Sequence, residues 1–203
     1  METNNPFIVP NDPASPYAGL ESSQGAVAQK ARYYAVSLPK LVALSVSTIG
    51  FYAIYWMYKQ WDALRDSNAI RSGSTPILRG LFALFFFHDL FAKIRAHVTE
   101  AGLSSRAASS ALATLAVILI IGGNVLAKQP EPLAFLCLVV HTLLVLPLAI
   151  AQSEINNYTR AVDPAAKLDS RFSAGTILVI VLGLLIWATM ILAFLLPAPT
   201  EVP

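Results

Sequence analysis

Charge is scarce in this chain. Only 13% of its 203 residues are Asp, Glu, Lys or Arg, against 56% hydrophobic, a balance that aggregates in water and suits a small helical bundle in lipid. The formal net charge of +2 is too small to suggest nucleic acid as a partner. Cysteine is nearly absent. The single Cys137 excludes an intrachain disulfide and a thiolate metal cluster. Histidine is limited to His88, His97 and His141. The first two stand nine residues apart and share no ligand-binding helical face, and HExxH, a Walker loop and a nucleophile elbow are all missing. No metal, cofactor or catalytic residue is therefore expected. Asp89 and Lys93 have the i, i+4 spacing of a helical surface pair rather than of an acid–base couple.

What the chain has instead is four long apolar runs, Leu41 to Tyr58, Ala107 to Ala127, Leu133 to Ala151 and Gly175 to Leu196. Each is long enough to cross a hydrocarbon layer as a helix, and in lipid a helix satisfies its own backbone. The expectation is an all-α, polytopic membrane bundle of four transmembrane helices plus one interfacial or re-entrant helix, with membrane lipids as its surroundings. A cleavable signal peptide is not expected, because the first run begins about 40 residues in and is followed by Lys59-Gln60-Trp61 rather than a small-residue cleavage site.

Three regions follow from this reading. Residues 1–35 form a proline-rich tail, extended or disordered, in which Pro6-Phe7 and Pro16-Tyr17 place an aromatic after proline and suit docking into a partner's groove. A tethered tail with no partner is the plainer alternative. Residues 36–197 are the helical membrane domain, entered through Ser37 as an N-cap with Pro39 in the first turn. Residues 198–203 are a short C-terminal tail.

The first run ends in Tyr52, Tyr55, Trp56, Tyr58, Lys59 and Trp61, side chains that prefer the headgroup level and read as interfacial anchors. Residues 76–100 are ambiguous. Thr75-Pro76 signals a helix start, but Gly80 to Phe87 is too short to span. From Phe87 onward, Phe87, Leu90, Phe91, Ile94 and Val98 share one helical face opposite His88, Asp89, Lys93, Arg95, His97 and Glu100. An amphipathic helix in the interface is expected, with a re-entrant path or packing across the bundle as alternatives.

Further on, Ala107, Ser110, Ala111 and Thr114 offer a small-residue packing face. Pro130-Glu131-Pro132 makes a short connection that sets the second and third spans antiparallel. Pro147 should kink the third span by removing a backbone donor and crowding the carbonyl of Leu143, and Ser173 can cap the last span. With four spans, ten Lys and Arg (Lys59, Arg65, Arg71, Arg79, Lys93, Arg95, Arg106, Arg160, Lys167, Arg171) share one side and four (Lys30, Arg32, Lys40, Lys128) the other. Both termini are then expected outside the cytoplasm.

Two polar groups stand out. His141 lies about 12 Å into the third span at 1.5 Å per residue, a depth at which an ionisable side chain is a functional candidate; a neutral ring bonded to a backbone carbonyl is the plainer reading. Asn124 in the neighbouring span sits about 5 Å from the same surface, too shallow for a direct bond to His141. Gln152, Glu154 and Asn156, with Arg79 at a similar level, suit a cytoplasmic-side pocket under the bundle or a solvated helix end.

The strings Ser37 to Leu41, Gly50-Phe51-Tyr52-Ala53-Ile54-Tyr55-Trp56-Met57-Tyr58-Lys59, Arg79 to Ala83, Gln152 to Asn156, Arg171 to Ser173 and Gly183 to Trp187 resemble a family of uncharacterised bacterial membrane proteins, over roughly residues 36–196. The resemblance implies a bacterial cytoplasmic (inner) membrane location and no substrate or reaction. The leading functional expectation is a non-enzymatic accessory or scaffold subunit that binds another membrane protein or itself. A small oligomeric transporter or channel, and a lipid-interacting or lipid-modifying protein, are the alternatives.

Overall fold

The structure is a computed structural model and describes residues 32–67, 76–105, 110–130 and 133–196. Among these residues the fold is all-helical, and the only extended pairing is an isolated parallel bridge between Val36 and Asp169. In chain order the helices are α1 (Leu38–Ser47), α2 (Tyr52–Asp66), α3 (Pro76–Leu81), α4 (Ala83–Glu100), α5 (Ser110–Leu126), a 3-10 turn (Leu133–Phe135), α6 (Leu136–Leu143), α7 (Val145–Val162) and α8 (Ala174–Leu195). Two helical segments are long and apolar enough to cross a membrane, Leu133–Val162 and Ala174–Leu195.

The first apolar run departs from the single rod expected of residues 41–58. Helix α1 stops at Ser47 in a left-handed turn, with the Gly50 N–H donating to the Ser45 carbonyl at 2.8 Å and the Ile49 N–H to Val46 at 3.2 Å. Ile49 and Gly50 both take positive φ, 53° and 82°, the two-bond geometry that closes a helix C-terminus. The chain then reverses. The far end of α2 returns to the start of α1, where Ser67 Oγ accepts from the Arg32 N–H at 3.1 Å and Gln60 binds Tyr34. The run is a helical hairpin, and apolar composition alone could not reveal this because a hairpin tip buried in protein is as apolar as a crossing.

A second inward and outward path follows. Helix α3 leads in, with Gly80 against the backbone of Ile54 and Tyr58 in α2. Helix α4 leads back out. Its face Phe87, Leu90, Phe91, Ile94 and Val98 is buried, and His88, Asp89, Arg95 and Glu100 are exposed, as the periodicity predicts. That face meets helices α5 and α7 rather than lying open for lipid, so α4 is a bundle helix.

Small residues let the remaining helices close in. Ala113, Ala116 and Gly123 are the buried positions of α5, whereas Ser110, Ala111 and Thr114 of the expected packing face point outward. The long segment through α6 and α7 is interrupted at Leu144, where Pro147 has no N–H for the Leu143 carbonyl. Ser173 caps α8 by accepting from the Thr176 N–H at 3.3 Å. Ser37 occupies the N-cap position of α1 without a side-chain bond, and its N–H donates instead to the Asp169 carbonyl at 3.1 Å.

Candidate functional site

Two polar centres lie in the bundle, one at the tip of the α1–α2 hairpin and one at its open end. At the tip, His141 and Asn124 line one cavity of about 220 Å³ with Gly50, Phe51, Leu84 and Phe87. They line it together without a direct bond between them. His141 Nδ1 lies 2.9 Å from the Cys137 carbonyl. A carbonyl oxygen only accepts, so Nδ1 carries the proton and Nε2 of the neutral ring is an acceptor. Asn124 donates from Nδ2 to the Ile120 carbonyl at 2.8 Å, and its side chain is exposed. Both groups are held by their own helix, leaving one acceptor each, His141 Nε2 and Asn124 Oδ1, without a hydrogen-bond partner among the described residues.

Glycines set this geometry. A side chain at Gly123 would collide with the His141 imidazole, so the ring lies flat on the α5 backbone. A Cβ at Gly50 would stand 2.6 Å from the His141 carbonyl oxygen. On the other side of the tip, Gly183 admits the Ser47 backbone, and Trp187 Nε1 donates to the Val46 carbonyl at 2.9 Å. The hairpin tip is thus clasped between α6 and α8.

At the open end the set Arg79, Gln152, Glu154 and Asn156 divides. Gln152 and Asn156 are buried and bond to each other at 2.9 Å. Trp56 Nε1, which can only donate, takes Gln152 Oε1 at 2.6 Å, and Gln60 Nε2 shares that oxygen at 3.2 Å. Gln152 Nε2 reaches the Tyr34 carbonyl at 3.1 Å, and Asn156 Nδ2 the Val36 carbonyl at 2.9 Å. Both amides are thus engaged inside the protein, away from solvent. They hold the extended segment Arg32–Ser37, whose first four residues belong to the expected tail. Glu154 accepts from Ser105 Oγ at 2.9 Å. Arg79 stacks over Trp61 at 4.2 Å and stands 3.9 Å from Asp89.

The aromatic belt divides too. Tyr52, Trp56 and Trp61 are buried in protein, against the expectation of headgroup anchoring, because their face of α2 turns into the bundle. Tyr55 is exposed, and Tyr58 and Lys59 are partly so. Pro6, Phe7, Pro16 and Tyr17 lie outside the described residues.

Two further clusters escaped the sequence reading. Tyr33 OH and His97 Nδ1 share a hydrogen bond at 2.6 Å, with Tyr158 edge-on to Tyr33 at 5.7 Å. Burial holds the His97 pKa below its usual value; Glu100 opposes this and Lys93 adds to it. Beside the bridge, Asp169 accepts from Lys40 Nζ at 2.7 Å and from Tyr34 OH at 2.8 Å. Burial raises the Asp169 pKa, but these two hydrogen bonds and the lysine charge outweigh it and hold the carboxyl below its usual range. Sequence separations of 64 residues for Tyr33–His97 and 135 for Tyr34–Asp169 kept both pairs out of reach of motif spacing.

No family model, no curated protein and no solved structure matches the chain.

Proposed function

We propose that this chain is an integral protein of the bacterial cytoplasmic membrane with three spans, formed by α5, by the apolar part of Leu133–Val162 and by α8, and with two hairpins that enter from one side and return to it. Irregular backbone is tolerated at membrane depth where protein buries it, and the α1–α2 tip is clasped by α6 and α8. On this reading all 14 Lys and Arg except Lys128 fall on one side, which the positive-inside rule makes cytoplasmic. That imbalance is far steeper than the ten against four of the four-span arrangement. The N-terminus is then cytoplasmic and the C-terminus on the opposite side, in place of both termini outside.

Within that frame the protein works as a small transporter or channel for protons or small neutral solutes. The observation that carries this reading is the cavity shared by His141 and Asn124 beside a broken helix, the arrangement that builds midplane binding sites from discontinuous helices. Among the described residues no carboxylate lines the cavity, so its unbonded acceptors suit water, a neutral hydrogen-bond donor or a proton rather than a stable cation. Three spans do not enclose a path alone. The exposed Asn124 amide at this depth supplies a contact for self-association.

Purified protein in liposomes should raise proton or small-solute permeability. His141→Ala should abolish the increase, and Asn124→Ala should weaken it together with oligomer formation. Permeability that is absent, or unchanged in His141→Ala, would remove this function.

A second reading, an accessory subunit, is favoured by α8, of whose apolar window only 6% is buried. Mass measurement after gentle extraction separates the two: a co-purifying different protein favours the subunit, and a homo-oligomer favours the pathway.

A further inference from the structure

Between α1, the start of α2 and the N-terminus of α8 runs a groove of about 500 Å³, lined among others by Tyr34, Tyr52, Tyr55, Asp169, Ser173 and Thr176. Among the described residues, Phe51 is the one it shares with the lining of the His141 cavity. Its walls have two characters. One end carries tyrosine rings around a carboxylate, with Tyr52 and Tyr55 centroids 5.6 Å apart and the Asp169 side chain 39% exposed. The other end carries the first turn of the 22-residue α8, where Ser173 Oγ meets Thr176 Oγ1 at 3.0 Å. Leu44 and Val179 continue the lining with apolar surface.

The Tyr52 hydroxyl is the revealing group. The residue is 94% buried, its relative exposure being 6%, and its hydroxyl makes no hydrogen bond of good geometry; the Tyr34 hydroxyl beside it interacts with it but gives its own proton to Asp169. Burying a hydroxyl without a partner destabilises the protein, and a ligand that bonds it recovers that loss. The nearby charges cancel. Lys40 is matched by Asp169 at 2.7 Å, and Lys59 by Asp62 at 3.7 Å. A ligand without net charge therefore fits better than an anion.

We propose that this groove binds a zwitterionic phospholipid with a primary ammonium headgroup, of the phosphatidylethanolamine type. The ammonium is attracted by the tyrosine faces and Asp169, and its N–H groups supply the donor that Tyr52 lacks; a choline headgroup has none. The phosphate is favoured by the free N–H groups and dipole at the start of α8. An acyl chain continues along Leu44 and Val179. On the topology proposed above, this places the headgroup at the cytoplasmic surface. The inference does not depend on solute passage and survives a negative flux result.

The test is lipid binding by native mass spectrometry and thermal shift on the full chain in detergent. The probes are phosphatidylethanolamine, phosphatidylcholine, phosphatidylglycerol and free phosphoethanolamine. Phosphatidylethanolamine should bind with preference over the other two lipids and raise the melting temperature most, while phosphoethanolamine without acyl chains should do little. Tyr52→Phe removes only the unbonded hydroxyl, so it should keep the fold and weaken phosphatidylethanolamine binding about tenfold. Asp169→Asn should weaken it further; since that change also loosens Lys40, the reading rests on Tyr52→Phe. Equal binding of the three lipids, equal effects of free phosphoethanolamine, or wild-type affinity in Tyr52→Phe would overturn the proposal.

Discussion

Gln60 binds Tyr34 as a neighbouring strand would. Its Oε1 accepts from the Tyr34 N–H and its Nε2 donates to the Tyr34 carbonyl, both at 3.1 Å. Backbone that enters a helical bundle in extended form has no ladder of its own, so side-chain amides must satisfy it. Gln152 completes the arrangement by using both donors and accepting twice. Gln152→Leu should therefore leave the Trp56 indole N–H buried without its partner, at about 1–3 kcal/mol. Gln60→Leu should cost a similar amount. The double variant should lose less than the sum, because both amides serve the same carbonyl. Thermal unfolding in detergent measures all three, and strict additivity would count against a shared network.

Gly50→Ala probes the hairpin tip. Positive φ alone costs a non-glycine residue about 1–2 kcal/mol, and the added methyl would press on the His141 carbonyl oxygen at 2.6 Å. Both effects push α2 away from α6, so the variant should melt earlier and the His141 cavity should change shape. Gly102→Ala is the control: it shares the positive φ but meets nothing within 4 Å. A loss at Gly50 no larger than at Gly102 would mean that the tip is not held against His141.

These sites also show what could be read from the chain. The buried face of α4, a helix disturbance at Pro147 and the Ser173 cap were legible because each is a local pattern. The reversal at Ile49-Gly50 was not, since one glycine in an apolar run reads equally as a packing position. Gln152 and Asn156 were visible as polar residues at i, i+4, but their function depends on a segment 118 to 120 residues away. A buried stripe did mark them: Leu148, Ala151, Ile155 and Tyr158 flank the same face and are all buried.

His97 should make stability depend on pH. Its pKa lies below 6.5 in the folded protein, so the unfolded chain binds the extra proton first as pH falls. The stability contributed by neutral His97 is complete above about 6.5 and is lost as pH falls from there through the folded pKa, where a charged ring must be held at a partly desolvated site. Asp169, also lowered, contributes stability present above 3.8 and lost on further acidification. Melting temperature against pH should show the earlier loss in wild type. His97→Gln, which keeps an acceptor without titrating, should lack it; persistence of the same dependence in His97→Gln would assign it elsewhere.

Sidedness separates the hairpin from a crossing. Arg32 and Lys167 lie at the same end of the molecule, since Arg32 bonds Ser67 and the adjoining segments meet at the Val36–Asp169 bridge. Lys128 follows α5 at its other end. In a Cys137→Ser background, single cysteines replacing Arg32, Lys128 and Lys167 report side by reaction with an impermeant maleimide on intact cells. Position 128 should label directly, and positions 32 and 167 only after permeabilisation. Labelling at 32 together with 128 would restore residues 41–58 as a full crossing. It would also return the tail to the outer side and take the proposed lipid headgroup away from the cytoplasmic leaflet.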